Sequence, residues 1–268
     1  MNSFAGLITK MKLFFQIGAY FKKKLSSMSD SFHQMSAPLF TVVLPVFGRT
    51  TELREAIESV LVQSFQSYEL FIVCDGSPEE TLDVVMGYVE NPRVRIRVYD
   101  DNSGNACRGR NTAISEARGK YIAFLDSDDI AMPDRLSDTL SVFRETCADV
   151  VYGAGRFIVD GSRKLPGITD GHILIPEPFD FEKAKVSNPI LTCTASIRTA
   201  CLNKYGSFRQ ELKYREDHEL WLRLAYYGCK FVATDKLLSA YRLHAGNAEL
   251  SFIQNDDFWR SEMLRMYT

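Results

Sequence analysis

The sequence predicts an α/β fold built on a mostly parallel, doubly wound sheet. Three observations carry that expectation. Between residues 39 and 125, short apolar runs alternate with amphipathic helical patterns in the order β-α-β-α-β-α-β. Each run stops on a polar, turn-rich segment: Pro45-Val46-Phe47-Gly48-Arg49, Cys74-Asp75-Gly76-Ser77, Asp101-Asn102-Ser103-Gly104 and Asp126-Ser127-Asp128. A parallel sheet puts all four segments on one edge, the edge at which open α/β sheets bind ligands. The chain has 268 residues, 46% hydrophobic and 25% charged, enough apolar material to bury a large core.

The first strand covers 39–46, with Pro45 marking its end. Thr50 or Thr51 caps a helix over 52–63, whose Leu53, Ile57, Val60 and Leu61 share a face. A second strand over 68–74, a helix over 81–89, a third strand over 94–99, a helix over 107–118 and a fourth strand over 120–125 follow. Beyond Asp134 the pattern becomes mixed. It holds a helix over 134–146, a strand over 150–152, a hairpin within 155–176 around Asp160-Gly161, and an amphipathic stretch over 181–186. A loosely alternating strand over 191–197, a helix over 211–227 stopped by Gly228, strands over 230–234 and 238–243, and a terminal helix over 249–267 complete the chain.

The formal net charge of −2 excludes the global basic field of a nucleic-acid-binding chain. The six cysteines form no C-x-x-C pair, so their spacing suggests neither a zinc site nor a redox motif; scattered thiols fit the cytosol. No run reaches ~18 apolar residues, so no transmembrane helix is predicted. Residues 1–38 differ from the rest. Phe4, Leu7, Ile8, Met11, Phe14 and Phe15 follow helical spacing, and Lys22, Lys23 and Lys24 come after them. Such a basic amphipathic leader suits peripheral contact of residues 4–24 with an anionic membrane surface. A helix packed on the domain, or a loose leader, fits the same pattern.

Residues 121–125 read as a buried strand that ends on Asp126, Asp128 and Asp129. Asp126 and Asp128 share one face of an extended chain, an arrangement suited to a hard divalent cation carrying a phosphate. An acidic turn in which Asp128 or Asp129 caps the next helix is the plainer reading.

Four stretches together resemble family 2 glycosyltransferases with the GT-A fold. They are 41–49, Asp75-Gly76-Ser77, Asn102-Ser103-Gly104 with 109–114, and 116–129. Further on, Arg215-Glu216-Asp217-His218-Glu219-Leu220-Trp221 is similar to the family's acidic motif and Tyr241-Arg242-Leu243-His244 to its late histidine motif. The resemblance covers most of 39–246. It departs at Cys74, where many members carry a first aspartate before Asp75. It implies a GT-A domain over 39–268, with a nucleotide-sugar half at 39–135 and an acceptor half at 136–268.

The resemblance also implies a metal-dependent, inverting transfer from a UDP-sugar or dTDP-sugar to a glycan or lipid-linked saccharide at the inner face of the cell membrane. Pro45, Phe47, Arg49, Asp75, Asn102, Gly104, Arg110, Asp126 and Ser127 then belong to the nucleotide side. Asp128 and His244 are the expected ligands of Mn²⁺ or Mg²⁺, and Asp217 the expected base. Glu216 and Trp221 fall on the acceptor side. Read from the residues alone, Phe47 lies against a base or in the core, Asp75 accepts a base N–H or caps a turn, and Arg110 grips phosphate or forms a surface ion pair. Trp221 faces a sugar or the core. The functional class that competes is a non-catalytic module binding a nucleotide or glycan for a membrane assembly. A nucleotidyltransferase is disfavoured, because a Gly-rich loop with a basic residue is missing near Leu44.

Overall fold

In the computed structural model, which describes residues 37–162, 165–212, 214–245 and 267, the first apolar run is strand β1 (Phe40–Val46), buried along its whole length. Its alternate side chains feed two layers. Val42, Leu44 and Val46 pack with Leu53, Ile57 and Val60 of helix α1 (Thr50–Leu61). Val43 packs on the other face with Phe71 and Val73 of β2 (Tyr68–Asp75). A strand covered on both faces needs apolar side chains at every position, which is why the run is continuous. Each fully buried Val or Leu contributes roughly 1.5–3 kcal/mol relative to exposure.

After β2 come α2 (Glu79–Met86), β3 (Val94–Tyr99), α3 (Cys107–Ser115) and β4 (Tyr121–Phe124). Strands β3, β2, β1 and β4 lie side by side and parallel. The chain therefore winds outward from β1 through β2 to β3, then crosses back to place β4 on the other side of β1. That reversal is a topological switch point, and it opens a crevice beyond the C-terminal ends of β1 and β4.

The second half extends the same sheet. Its elements are β5 (Ile130–Ala131), α4 (Arg135–Thr146), β6 (Val150–Val159), β7 (Ile173–Leu174), α5 (Phe181–Ala184), a 3₁₀ turn (Thr192–Thr194), β8 (Ser196–Arg198), α6 (Thr199–Tyr205), α7 (Glu216–Tyr226) and β9 (Phe231–Leu243). Among the described residues the strand order is β3-β2-β1-β4-β8-β6-β9-β5, with β7 beside β6. β8 runs antiparallel to both β4 and β6, so β6 is parallel to β4. No helix among the described residues is long and apolar enough to cross a membrane.

Several boundaries differ from the sequence expectation, each for a local reason. Pro45 lies within β1 rather than closing it. Leu125 N–H donates to the Val43 carbonyl, and β4 pairs no further along β1 than Val43, so the missing N–H of Pro45 faces the β4 side beyond that strand's last pair, while Pro45 stays paired in register with Val73 of β2. Neither Thr50 nor Thr51 caps α1; Arg49 holds the cap position in the left-handed region, φ 62°, without a side-chain cap. Asp129 caps nothing. It is buried and accepts the Arg242 N–H at 2.8 Å. The stretch 191–197 holds a 3₁₀ turn before its short strand, and the two late strands are one strand, β9, with a bulge opposite Tyr152–Gly155. Helix α7 starts at Glu216, not 211, because Arg215 is left-handed at φ 57°. The expected leader helix and the terminal helix over 249–267 lie outside the described residues, apart from Ala37, Pro38 and Tyr267.

Candidate active site

A cleft of about 940 Å³ opens at the switch point, within the size range of small-molecule sites. Pro45 and Phe47 line it from the loop after β1, Asp75 from the end of β2, and Asn102 and Gly104 from the loop after β3. Arg110 lines it from α3, Asp126, Ser127 and Asp128 from the end of β4, and Glu216 and Asp217 from the start of α7. Most of the expected site residues thus meet in one place. Phe47 is 56% exposed, so its ring is a wall of the cleft and not core.

Asp75 is 5% exposed and fully engaged. Its Oδ2 accepts from the Ser103 hydroxyl at 2.6 Å and the Ser103 N–H at 3.1 Å, and its Oδ1 accepts from Arg108 Nε at 2.5 Å. Arg108 in turn stacks over Tyr99. Asn102 Nδ2 donates to the Asp75 carbonyl at 2.9 Å, tying the second and third loops together. Gly76 makes that approach possible, since a Cβ there would meet Asn102 N at 2.5 Å. Neither Ser103 nor Arg108 stands out in the sequence as a site residue.

Arg110 is buried at the floor. It donates to Asp126 Oδ1 and to Glu216 Oε1, both at 2.7 Å, so its fork grips two carboxylates. Burial works against its charge, but Asp126 and Glu216 outweigh it and hold the guanidinium above the usual arginine range. Glu216 is raised above the ordinary carboxylate range, by burial first, with Arg110 opposing and Asp217 adding to the rise.

Asp217 sits at the N-terminus of α7, near the positive end of its dipole. Its Oδ2 accepts from Thr192 Oγ1 at 2.6 Å and from Asn188 Nδ2 at 3.0 Å, leaving a fixed, half-buried carboxylate facing the cleft. Thr192 and Asn188 come from the 3₁₀ turn and the loop before it; no sequence pattern marks them.

Asp128 and His244 come together from opposite ends of the chain, with His244 Nε2 2.9 Å from Asp128 Oδ2. Arg49 Nη1 lies 3.3 Å from the same oxygen and also bonds the His244 ring. This set suits a divalent cation. A hard carboxylate oxygen stands beside an imidazole nitrogen, the donor chemistry that Mn²⁺ or Mg²⁺ accepts, and Arg49 now pairs with that oxygen. From behind, Arg242 Nε donates to the Asp128 carbonyl at 2.9 Å, and the buried Arg135 donates from Nη2 to the Phe124 carbonyl at 2.5 Å. Burial pushes the Arg135 guanidinium down to about 10.

Trp221 is the site residue the structure removes. Its side chain is 0% exposed and packs near Phe124 in the core, not on the cleft, so it offers no surface to an acceptor. The stretch His218–Leu224 of α7 is buried on every side, so the helix turns no face beyond its first residues toward a ligand.

The chain is similar to known glycosyltransferases. The model of glycosyl transferase family 2 matches residues 41–205, more than half of the chain. TuaG of Bacillus subtilis (strain 168), whose name assigns it to teichuronic acid biosynthesis, is 30% identical over 209 residues, covering 77% of this chain and 79% of its own. Chondroitin synthase of Pasteurella multocida (strain Pm70) is 28% identical over 92% of this chain, which spans 25% of that enzyme. Among solved structures, S. aureus TarS 1-349 superimposes with a TM-score of 0.64 at 23% identity, over 85% of this chain and 64% of that one. TarS 1-349 in complex with UDP-GlcNAc gives 0.63 at 24% identity, over 79% and 60%. These likenesses establish the GT-A fold, and the matched residues place the chain in glycosyl transferase family 2.

Proposed function

We propose that the cleft transfers a sugar from a UDP-sugar, with a dTDP-sugar as the alternative donor, to an acceptor hydroxyl with inversion at C1. What carries this reading is the placement on one cleft of a buried acceptor of base N–H groups, Asp75, a paired carboxylate at a strand end, Asp126 and Asp128, and a fixed carboxylate, Asp217, opposite them. The likeness to TarS with UDP-GlcNAc supports the donor class.

In this reading Phe47 lies against the base and Asp75 accepts the N3–H of uracil or thymine, while Ser103 and Arg108 hold its carboxylate. Gly104, at φ +89°, turns the third loop, and its N–H donates to Asn102 Oδ1 at 2.5 Å. Asp128 and His244 would hold Mn²⁺ or Mg²⁺, with Asp126 beside them on the ribose side. The cation supplies charge compensation for the departing nucleoside diphosphate. Arg110 fixes Asp126 relative to Glu216, so the donor and acceptor sides share one buried guanidinium. Asp217 takes the proton of the acceptor hydroxyl as its oxygen bonds to C1 and the C1–O bond to the diphosphate breaks. Residues 39–135 form the donor half and 136–268 the acceptor half. The acceptor is a glycan or lipid-linked saccharide, approached from the inner face of the cell membrane with help from residues 4–24.

The test is UDP release from a panel of UDP-sugars and dTDP-sugars, with Mn²⁺ and with EDTA. Donor-dependent release that EDTA abolishes supports the reading. No release from any donor, with nucleotide binding intact, points instead to a non-catalytic binding module.

A further inference from the structure

We propose that the chain carries a second metal site, a zinc clip made by Asp149, Cys201 and Cys229 on the sheet edge opposite the cleft. One carboxylate oxygen and two sulfurs, one from each residue, all lie within 4.8 Å of one another. A tetrahedral zinc ion with Zn–S near 2.3 Å and Zn–O near 2.1 Å needs edges of about 3.5–3.8 Å, so binding would draw the three atoms in from their present spacing of up to 4.8 Å.

The position follows from the topology. Asp149 immediately precedes β6, which is parallel to β4, so Asp149 lies at the edge where β4 begins and not where Asp126 stands. Arg198, paired with Tyr121 at the start of β4, brings the following helix α6 to the same edge, and Cys201 is on α6. Cys229 follows the end of α7, and the Lys230 N–H donates to Asp149 Oδ2 at 2.9 Å. The three ligands thus tie together the start of β6, helix α6 and the far end of the helix whose first turn carries Asp217.

Two neighbours already hold the carboxylate in place. The Lys230 N–H orients the carboxylate from behind, the kind of outer contact that fixes metal ligands. Arg198 Nε lies 3.6 Å from Asp149 Oδ1. Its positive charge offsets the surplus of two thiolates and one carboxylate over Zn²⁺. Binding releases two protons to solvent, one from each sulfur, and leaves a fourth position for water. Thiolate ligands select zinc over the hard cation expected at Asp128.

The experiment is a Co²⁺ titration of the full, reduced chain under argon, followed by optical absorption and by thermal unfolding with Zn²⁺. A thiolate-to-cobalt charge-transfer band saturating near one equivalent is expected, with a Zn²⁺-dependent rise in Tm. Cobalt at Asp128 and His244 gives no such band, so the two sites are separable. Cys201→Ser and Cys229→Ser should each abolish the band, Asp149→Asn should weaken affinity about 10–100-fold, and Cys147→Ser should leave it intact. Cys229→Ser, at a half-buried position, keeps the test valid if Cys201→Ser folds poorly. Absence of the band in the native chain, its survival in Cys229→Ser, or a Cys201–Cys229 disulfide that forms in place of metal binding would overturn the proposal.

Discussion

His244 Nε2 lies 2.9 Å from Asp128 Oδ2, although 116 positions separate the two residues. The contact joins the residue just after β9 to the end of β4, and Arg49 closes the group from the loop after β1. If this group holds the catalytic cation, Asp128→Asn should lower UDP release by at least ~10²-fold at any Mn²⁺ concentration. His244→Ala should instead raise the Mn²⁺ concentration for half-maximal rate by about 10–100-fold. Rates measured against Mn²⁺ for both variants check this. An unchanged metal requirement in both would remove the pair from the metal site.

Asp75 should govern nucleotide affinity and not the chemical step. Asp75→Asn keeps one neutral acceptor oxygen but loses the charge, and should weaken UDP binding about 10–100-fold, the loss of charge assistance in one hydrogen bond. Arg108→Ala should weaken it less, because Ser103 still holds the carboxylate. Calorimetric titration with UDP separates the two. Equal affinity for UDP in native and Asp75→Asn protein would contradict the assignment.

Thr192 and Asn188 hold the Asp217 carboxylate. Thr192→Val should cut kcat about 10-fold with the donor KM unchanged, since an aimed base is lost while binding is kept. A rise in donor KM alone would place Thr192 on the donor side instead.

How much of this was legible beforehand depended on whether a residue belonged to a pattern. The four parallel strands were readable because strands buried on both faces have continuous apolar runs, and Asp75, Asp126 and Asp128 were visible as polar stops at their ends. Arg108, Thr192 and Asn188 were not. Thr192 and Asn188 are 25 and 29 positions from the carboxylate they hold, and single polar residues in loops leave no periodic trace. Trp221 misled because it lies one turn beyond Asp217, which suggests a shared face, whereas α7 is buried all round from His218 onward. Asp129 looked like a cap because its neighbours are acidic; its burial depends on β9, more than a hundred positions later.

That burial has a pH consequence. Burial raises Asp129 well above its ordinary value of 3.8, and Asp128 and Asp126 raise it further. The folded state therefore keeps a proton that the unfolded state releases. The stability this adds is full below the ordinary value and is lost as pH rises through the folded one. Asp129→Asn removes the titration, so in EDTA its Tm relative to the native protein should climb as pH increases from about 4 to 8. Thermal unfolding across that range checks it; a constant difference would show that Asp129 does not titrate differently on folding.

Residues 4–24 should account for any membrane association. Deleting residues 1–30 is expected to move the protein out of the liposome-bound fraction when vesicles contain anionic lipid. Unchanged partitioning in a flotation assay would locate the contact elsewhere.

If the cleft transfers a sugar with Asp217 as its base, removing that carboxylate must stop transfer and spare nucleotide binding. The most direct measurement compares UDP binding and sugar transfer in the native chain and in Asp217→Asn, with Mn²⁺ and a donor that the native chain turns over. UDP affinity should stay within about threefold while transfer falls by at least ~10³-fold. Transfer at the native rate in Asp217→Asn, with binding unchanged, would contradict the account.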